Sequence, residues 1–145
     1  MMFEEWKVLH IDEVPAESDL FCRALPEVQF AGHCESVASF TEGKEYLERA
    51  LFSPQKLSRP DIVVINWHPH FNLEVLVFVQ WVRKQPQFRE MPVVVFITAQ
   101  LSHAERDRAE AEGVTELIVR AGTSEGLVEQ VKDLLQRCTI RAIGR

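Results

Sequence analysis

The chain predicts a doubly wound α/β fold: a five-stranded parallel sheet covered by helices on both faces. Three observations predict it. Continuous runs rich in β-branched residues at 62–65 (IVVI) and 93–97 (VVVFI) have the composition of strands buried on both faces. Short apolar runs alternate with amphipathic stretches along the whole length, which is the pattern of strand–helix–strand units. Finally, 145 residues, 46% hydrophobic and 26% charged, suit one soluble domain with a real core and are few for two. Right-handed crossovers then set the hand of the winding.

The elements follow in order. Residues 8–11 read as the first strand, ending at Asp12 and Glu13. Pro15 suits the first turn of the helix expected next. A weaker strand is expected within 28–37. The stretch SFTEGKEYLERAL is a helix, with Ser39 or Thr41 as its cap and Phe40, Tyr46, Leu47 and Leu51 as apolar positions. After a loop, FSPQKLSRP, the third strand covers 62–65. A helix over 73–84 is stopped by Pro86, and the fourth strand ends just before Thr98. Ser102 caps the charged helix HAERDRAEAE, which Gly113 terminates. Residues 116–119 form a short fifth strand, and Ser124 opens a last helix through about 137. The domain is expected over 1–137, with 138–145 a tail or the start of a linker to an output domain.

Composition narrows the function. A formal charge of −6 argues against direct nucleic-acid binding, which needs a basic surface. Three cysteines, Cys22, Cys34 and Cys138, are widely spaced and form no CxxC pair, so neither a disulfide framework nor a zinc site is indicated. They read as reduced thiols, with Cys22 or Cys34 packed as small hydrophobes. The opening MMFEEWK has no apolar signal core, and the longest apolar runs, such as 75–79, cannot span a bilayer. No membrane partner and a cytoplasmic location are expected.

Candidate chemistry gathers at the strand ends. Asp12 and Glu13, Asn66, Thr98 and Arg120 each follow or close a different strand, and in a doubly wound sheet those carboxyl ends lie side by side. Any one of them alone reads as a cap or a strand terminator. All of them at matching ends point to one pocket holding two carboxylates, an amide, a hydroxyl and a cation.

These segments resemble the receiver domains of two-component response regulators. VLHIDEVP is similar to the receiver acidic-pair opening, and PDIVVIN to the strand that carries the phosphorylated aspartate. PVVVFITA resembles the strand with the hydroxyl residue, and GVTELIVRA the segment with the conserved-type lysine and proline. Thr98 precedes Arg120 by 22 residues, the usual receiver spacing. The resemblance spans about 7–135. It implies the flavodoxin-like (βα)5 fold with strand order 2-1-3-4-5. It also implies a magnesium ion held by the acidic pair and the aspartate, and phosphoryl transfer to that aspartate from a partner kinase. Asp12 and Glu13 match the acidic pair, Asn66 the phosphoacceptor, Thr98 the hydroxyl and Arg120 the lysine.

The departures fall on that mechanism. An amide cannot form an acyl phosphate, and losing one of three carboxylates leaves a magnesium site at Asp12 and Glu13 weak or absent. Arg120 keeps the charge but not the shape of lysine. Ala121 stands where the family has proline, and Leu117 where it usually has the Tyr or Phe rotamer switch. The loop NWHPHFN is about two residues short. The resemblance therefore implies a pseudo-receiver: a phosphorylation-independent signalling module, not an enzyme, that binds a protein partner, an output domain or a twin subunit. Its Asn66 is expected to bond to the acidic pair, with Arg120 replacing the metal as a built-in cation. The alternatives are an atypical but working receiver and a flavodoxin-like cofactor- or metal-binding protein.

His68 and His70 form an HxH near His10, but the remaining ligands of a zinc site are not supplied convincingly, and His10 reads as a hydrogen-bonded core histidine. DEVPAES opens with acids that repel phosphate, and no Walker, GxGxxG or GxSxG pattern is present. The helix LEVLVFVQWVRK carries the interaction-surface candidates. If Leu73, Leu76 and Val79 face the sheet, then Val77, Phe78 and Trp81 project outward. A rotated helix would bury them instead. The charged face around HAERDRAEAE is the competing surface.

Overall fold

The computed structural model describes residues 7–12, 33–53, 59–67, 72–97 and 101–143. In chain order these form β1 (Lys7–Ile11), β2 (His33–Val37), α1 (Phe40–Phe52), β3 (Ile62–Trp67) and α2 (Asn72–Lys84). A 3-10 turn (Pro86–Phe88), β4 (Val93–Ile97), α3 (His103–Glu112), β5 (Glu116–Val119) and α4 (Ser124–Ile143) follow. The strands make one parallel sheet in the order β2-β1-β3-β4-β5, as expected. The helix expected after Pro15 lies outside the described residues.

Strand alternation splits the core in two. Leu9, Ile11, Val63, Ile65 and Val95 face α1, α2 and α3. Val8, Val64, Val94 and Phe96 face α4, where Leu127, Val131 and Leu134 meet them. Both central strands, β3 and β4, are buried along their whole lengths, which is why they carry β-branched residues on both faces. Cys34 is half-buried against the α4-side core, a small hydrophobe as anticipated.

Two elements, β3 and α4, run past their expected ends. β3 runs on through Asn66 and Trp67, because β4 continues the ladder opposite them at Phe96 and Ile97. β2 occupies the whole described part of the stretch expected over 28–37, His33–Val37. α4 continues to Ile143; no Gly or Pro interrupts it after Gly126 until Gly144.

The orientation of α2 corrects one surface candidate. Phe78 is buried, together with Val75, Val79 and Val82, at the i, i+3, i+4, i+7 spacing of a helix face. α2 packs against α1 as well as the sheet, so its apolar stripe is broad, and the Phe78 ring lies 5.4 Å from that of Phe40 in a tilted pair. Val77 is 63% exposed and Trp81 half-buried, so these two remain at the surface.

Close approach explains two glycines. At Gly43 in α1 a Cβ would stand 2.7 Å from Ile11 Cδ1, so glycine lets the helix settle onto β1. Gly113 ends α3 with φ 114°, the left-handed conformation that favours glycine. Ser102 and Glu105 close a reciprocal capping box at the other end of α3. Arg83 ties this side of the molecule together. Its guanidinium donates to the carbonyls of Phe88 (2.9 Å), Met91 (2.8 Å) and Gly113 (2.8 Å).

Candidate functional site

The carboxyl ends of β1 and β3 are adjacent, and their alternation brings Asp12 and Asn66 to the same face of the sheet. Asp12 follows β1 directly, and its backbone N–H donates to Val37 O at 3.1 Å, extending the β1–β2 ladder by one residue. Its side chain is buried, as is Asn66. Asn66 Nδ2 donates to Asp12 Oδ2 at 2.6 Å. That is a short, charge-assisted bond between two buried groups, the class of hydrogen bond that contributes most.

One residue earlier on the same face of β1 lies His10, wholly buried, with Ser36 of β2 and Val64 of β3 as its register partners. Its Nδ1 lies 3.1 Å from Ser36 Oγ. Burial pushes its pKa down from 6.5 to about 4; Asp12 opposes the shift and Arg120 adds to it. His10 is therefore neutral at physiological pH, the core histidine expected.

Arg120 follows β5 directly and shares the face of Ile118, its neighbour two residues back. Its backbone N–H donates to Ile97 O at 2.8 Å, continuing the β4–β5 ladder. The chain on either side of it is held by Gln130 of α4. Gln130 Nε2 donates to Val119 O at 2.7 Å, and its Oε1 accepts from Ala121 N–H at 3.0 Å. A proline at 121 would have no N–H to give. The alanine is thus part of a side-chain clamp that fixes the turn after β5. Nothing in the sequence marked Gln130, because an amide on an amphipathic helix carries no signature of its partners.

Leu117 lies on the opposite face and packs against the core beneath α2 and α3. Glu13, Thr98, His68 and His70 are outside the described residues. The described part of the site does not fit a strong divalent-ion site. Asp12 Oδ2 already accepts a hydrogen bond from an N–H, where a hard cation wants anionic oxygen. Among the described residues, no three His, Cys, Asp or Glu side chains group to hold a metal. No helix among them is long and apolar enough to cross a membrane.

No family model and no curated protein sequence matches the chain. Solved structures do. The phosphorylated cyanobacterial phytochrome response regulator RcpA superposes with a TM-score of 0.73 at 19% identity, covering 89% of this chain and 90% of that one. The chemotaxis response regulator CheY4 of Vibrio cholerae gives 0.68 at 23% identity, over 95% of this chain and 99% of that one. The Mn(2+)-bound form of the response regulator Rcp1 gives 0.71 at 15% identity, over 89% and 91%. At these identities the likeness establishes the fold, which is the flavodoxin-like fold of receiver domains.

Proposed function

We propose that this chain is a receiver-type module of two-component signalling that acts by binding a protein partner or output domain, without catalysing a reaction or accepting a phosphoryl group. The observation that carries this reading is the bond from Asn66 Nδ2 to Asp12 Oδ2. In the resemblance drawn above, the residue at 66 presents an anionic oxygen that is both nucleophile and metal ligand. Here that position presents an N–H, and the N–H is spent on the neighbouring carboxylate. An amide nitrogen is neither nucleophile nor hard ligand, so the pocket lacks the group on which phosphoryl transfer depends. Arg120 supports the same reading as the resident cation of the site, its turn held by Gln130. A pocket stabilised from within favours a single arrangement, and such a module signals through the surface it presents.

The test is intact-mass measurement after incubation with acetyl phosphate and Mg²⁺. No added phosphoryl mass is expected. A gain of one phosphoryl group, lost in Asn66→Ala, would overturn the reading. Asn66→Asp restores the acceptor alone and is expected to give at best slow labelling, since Arg120 and Ala121 remain as they are.

A further inference from the structure

α1 and α2 enclose a groove of about 760 Å³. Phe40 and the buried ring of Phe78 line its floor, and Val77 and Trp81 its wall. Lys44 sits over the Trp81 ring, 5.4 Å from its centroid, and Lys84 and Glu74 complete the rim. The groove therefore offers apolar walls with two cations and one anion. At the other end of α1, Phe52 projects from the surface, 84% exposed. Glu45, Glu48 and Arg49 surround it, giving two anions and one cation. Glu45, Glu48 and Phe52 form one stripe along the helix, at i, i+3 and i+7. An exposed aromatic with the charge pattern inverse to that of an apolar groove on the same molecule is a self-complementary surface.

We propose that the occupant of the groove is a second copy of this chain, paired through α1. Phe52 and the Phe40 end of the groove lie at opposite ends of one helix, twelve residues and roughly 18 Å apart at the α-helical rise. A two-fold axis passing between the two copies of α1, level with Tyr46, sets the two helices antiparallel. It lays Phe52 over Phe40 of the second copy and Glu48 against Lys44 of the second copy, and it makes both contacts twice. Such a contact closes on itself as a dimer and does not propagate into a filament. Phe52 and Val77, two of the three large hydrophobic residues exposed among the described residues, are both covered by this arrangement. The α3 face offers no comparable anchor: it buries Ala109 and otherwise presents charge, and exposed ion pairs contribute little and weaken with salt.

This inference deepens the proposed binding role by naming the surface and the partner, and the two fail separately. A phosphoryl gain would leave a dimer standing, and a monomer would leave the mass result standing. The experiment is sedimentation velocity of the full chain across the micromolar range, with circular dichroism to confirm that each variant is folded. The wild type is expected to dimerise, and Phe52→Ala to weaken the dimer about tenfold or more, since an aromatic anchor is lost from both copies. Lys44→Glu and Glu48→Lys are each expected to weaken it, and the two together to restore it. A wild type that stays monomeric to high micromolar concentration overturns the proposal. So does a dimer indifferent to Phe52→Ala, or one that the paired reversal does not restore.

Discussion

Acid is expected to destabilise this protein through His10, and the effect can be isolated. The imidazole is wholly buried, its pKa lowered from 6.5 to about 4. The unfolded chain takes up a proton near pH 6.5, whereas the folded chain resists until about pH 4. Stability from keeping His10 neutral is therefore complete above pH 6.5 and drains away as pH falls through that window. Over the whole window one group accounts for about 3 kcal/mol, of which about 2 kcal/mol is lost by pH 5. Burial also pushes the Asp61 carboxyl up, so the comparison must be differential. His10→Asn keeps a polar partner for Ser36 and removes the titration. Urea unfolding of both proteins at pH 7.5, 6 and 5 should show the wild type losing about 2 kcal/mol more than the variant between the extremes. Parallel loss in the two proteins would refute the reasoning, because it would mean that His10 titrates alike in the folded and unfolded chains.

Two further outcomes follow from the hydrogen bonding. Arg83→Ala removes the guanidinium donor from the carbonyls of Met91 and Gly113 and leaves that of Phe88 with only the long bond from the Met91 N–H, and is expected to cost about 2–4 kcal/mol in urea or thermal unfolding. Arg83→Lys should recover less than half of that, because a point charge cannot serve several carbonyls as a planar fork does. At the end of β5, Ala121→Pro removes the N–H that donates to Gln130 Oε1 and is expected to cost about 1 kcal/mol, measured the same way. In a Gln130→Ala background the same substitution should be neutral or stabilising, since the partner is already absent and proline stiffens the unfolded chain. Equal costs in both backgrounds would show that the clamp contributes nothing.

Those outcomes rest on features of unequal legibility in the sequence. The doubly wound order was legible because each strand and cap carries a local signal. Residues 62–65 and 93–97 read as buried strands from their β-branched runs, and Ser102 and Gly113 bracket α3 with a capping box and a left-handed turn. The rotation of α2 was not legible. Val75, Leu76, Val77, Phe78, Val79, Trp81 and Val82 leave hardly any polar residue to mark the outer face, so periodicity admits more than one orientation. Tertiary packing decides it: α1 approaches closely at Gly43 and draws Phe78 inward against Phe40. Arg83 was hidden for another reason. Its partners are main-chain carbonyls, which every residue has and no residue type announces.

The site divides along the same line. That Asp12 and Asn66 should meet was legible, because both are polar residues closing adjacent parallel strands on the same alternation, and the bond between them needs no other element. The turn after β5 was legible only as a departure. Arginine and alanine at 120 and 121 read as two losses from a receiver pattern, and in isolation each is one. In the folded chain the alanine supplies an N–H that proline lacks, and α4 brings Gln130 to receive it while also holding the carbonyl of Val119. The residue that makes sense of position 121 lies nine positions away on another element, so no motif at the turn could reveal it. What local comparison scores as decay is, at this turn, a different way of holding the backbone still. The turn fixed in this way holds the backbone of Arg120 at the carboxyl end of β5, on the face of the sheet that also carries Asp12 and Asn66.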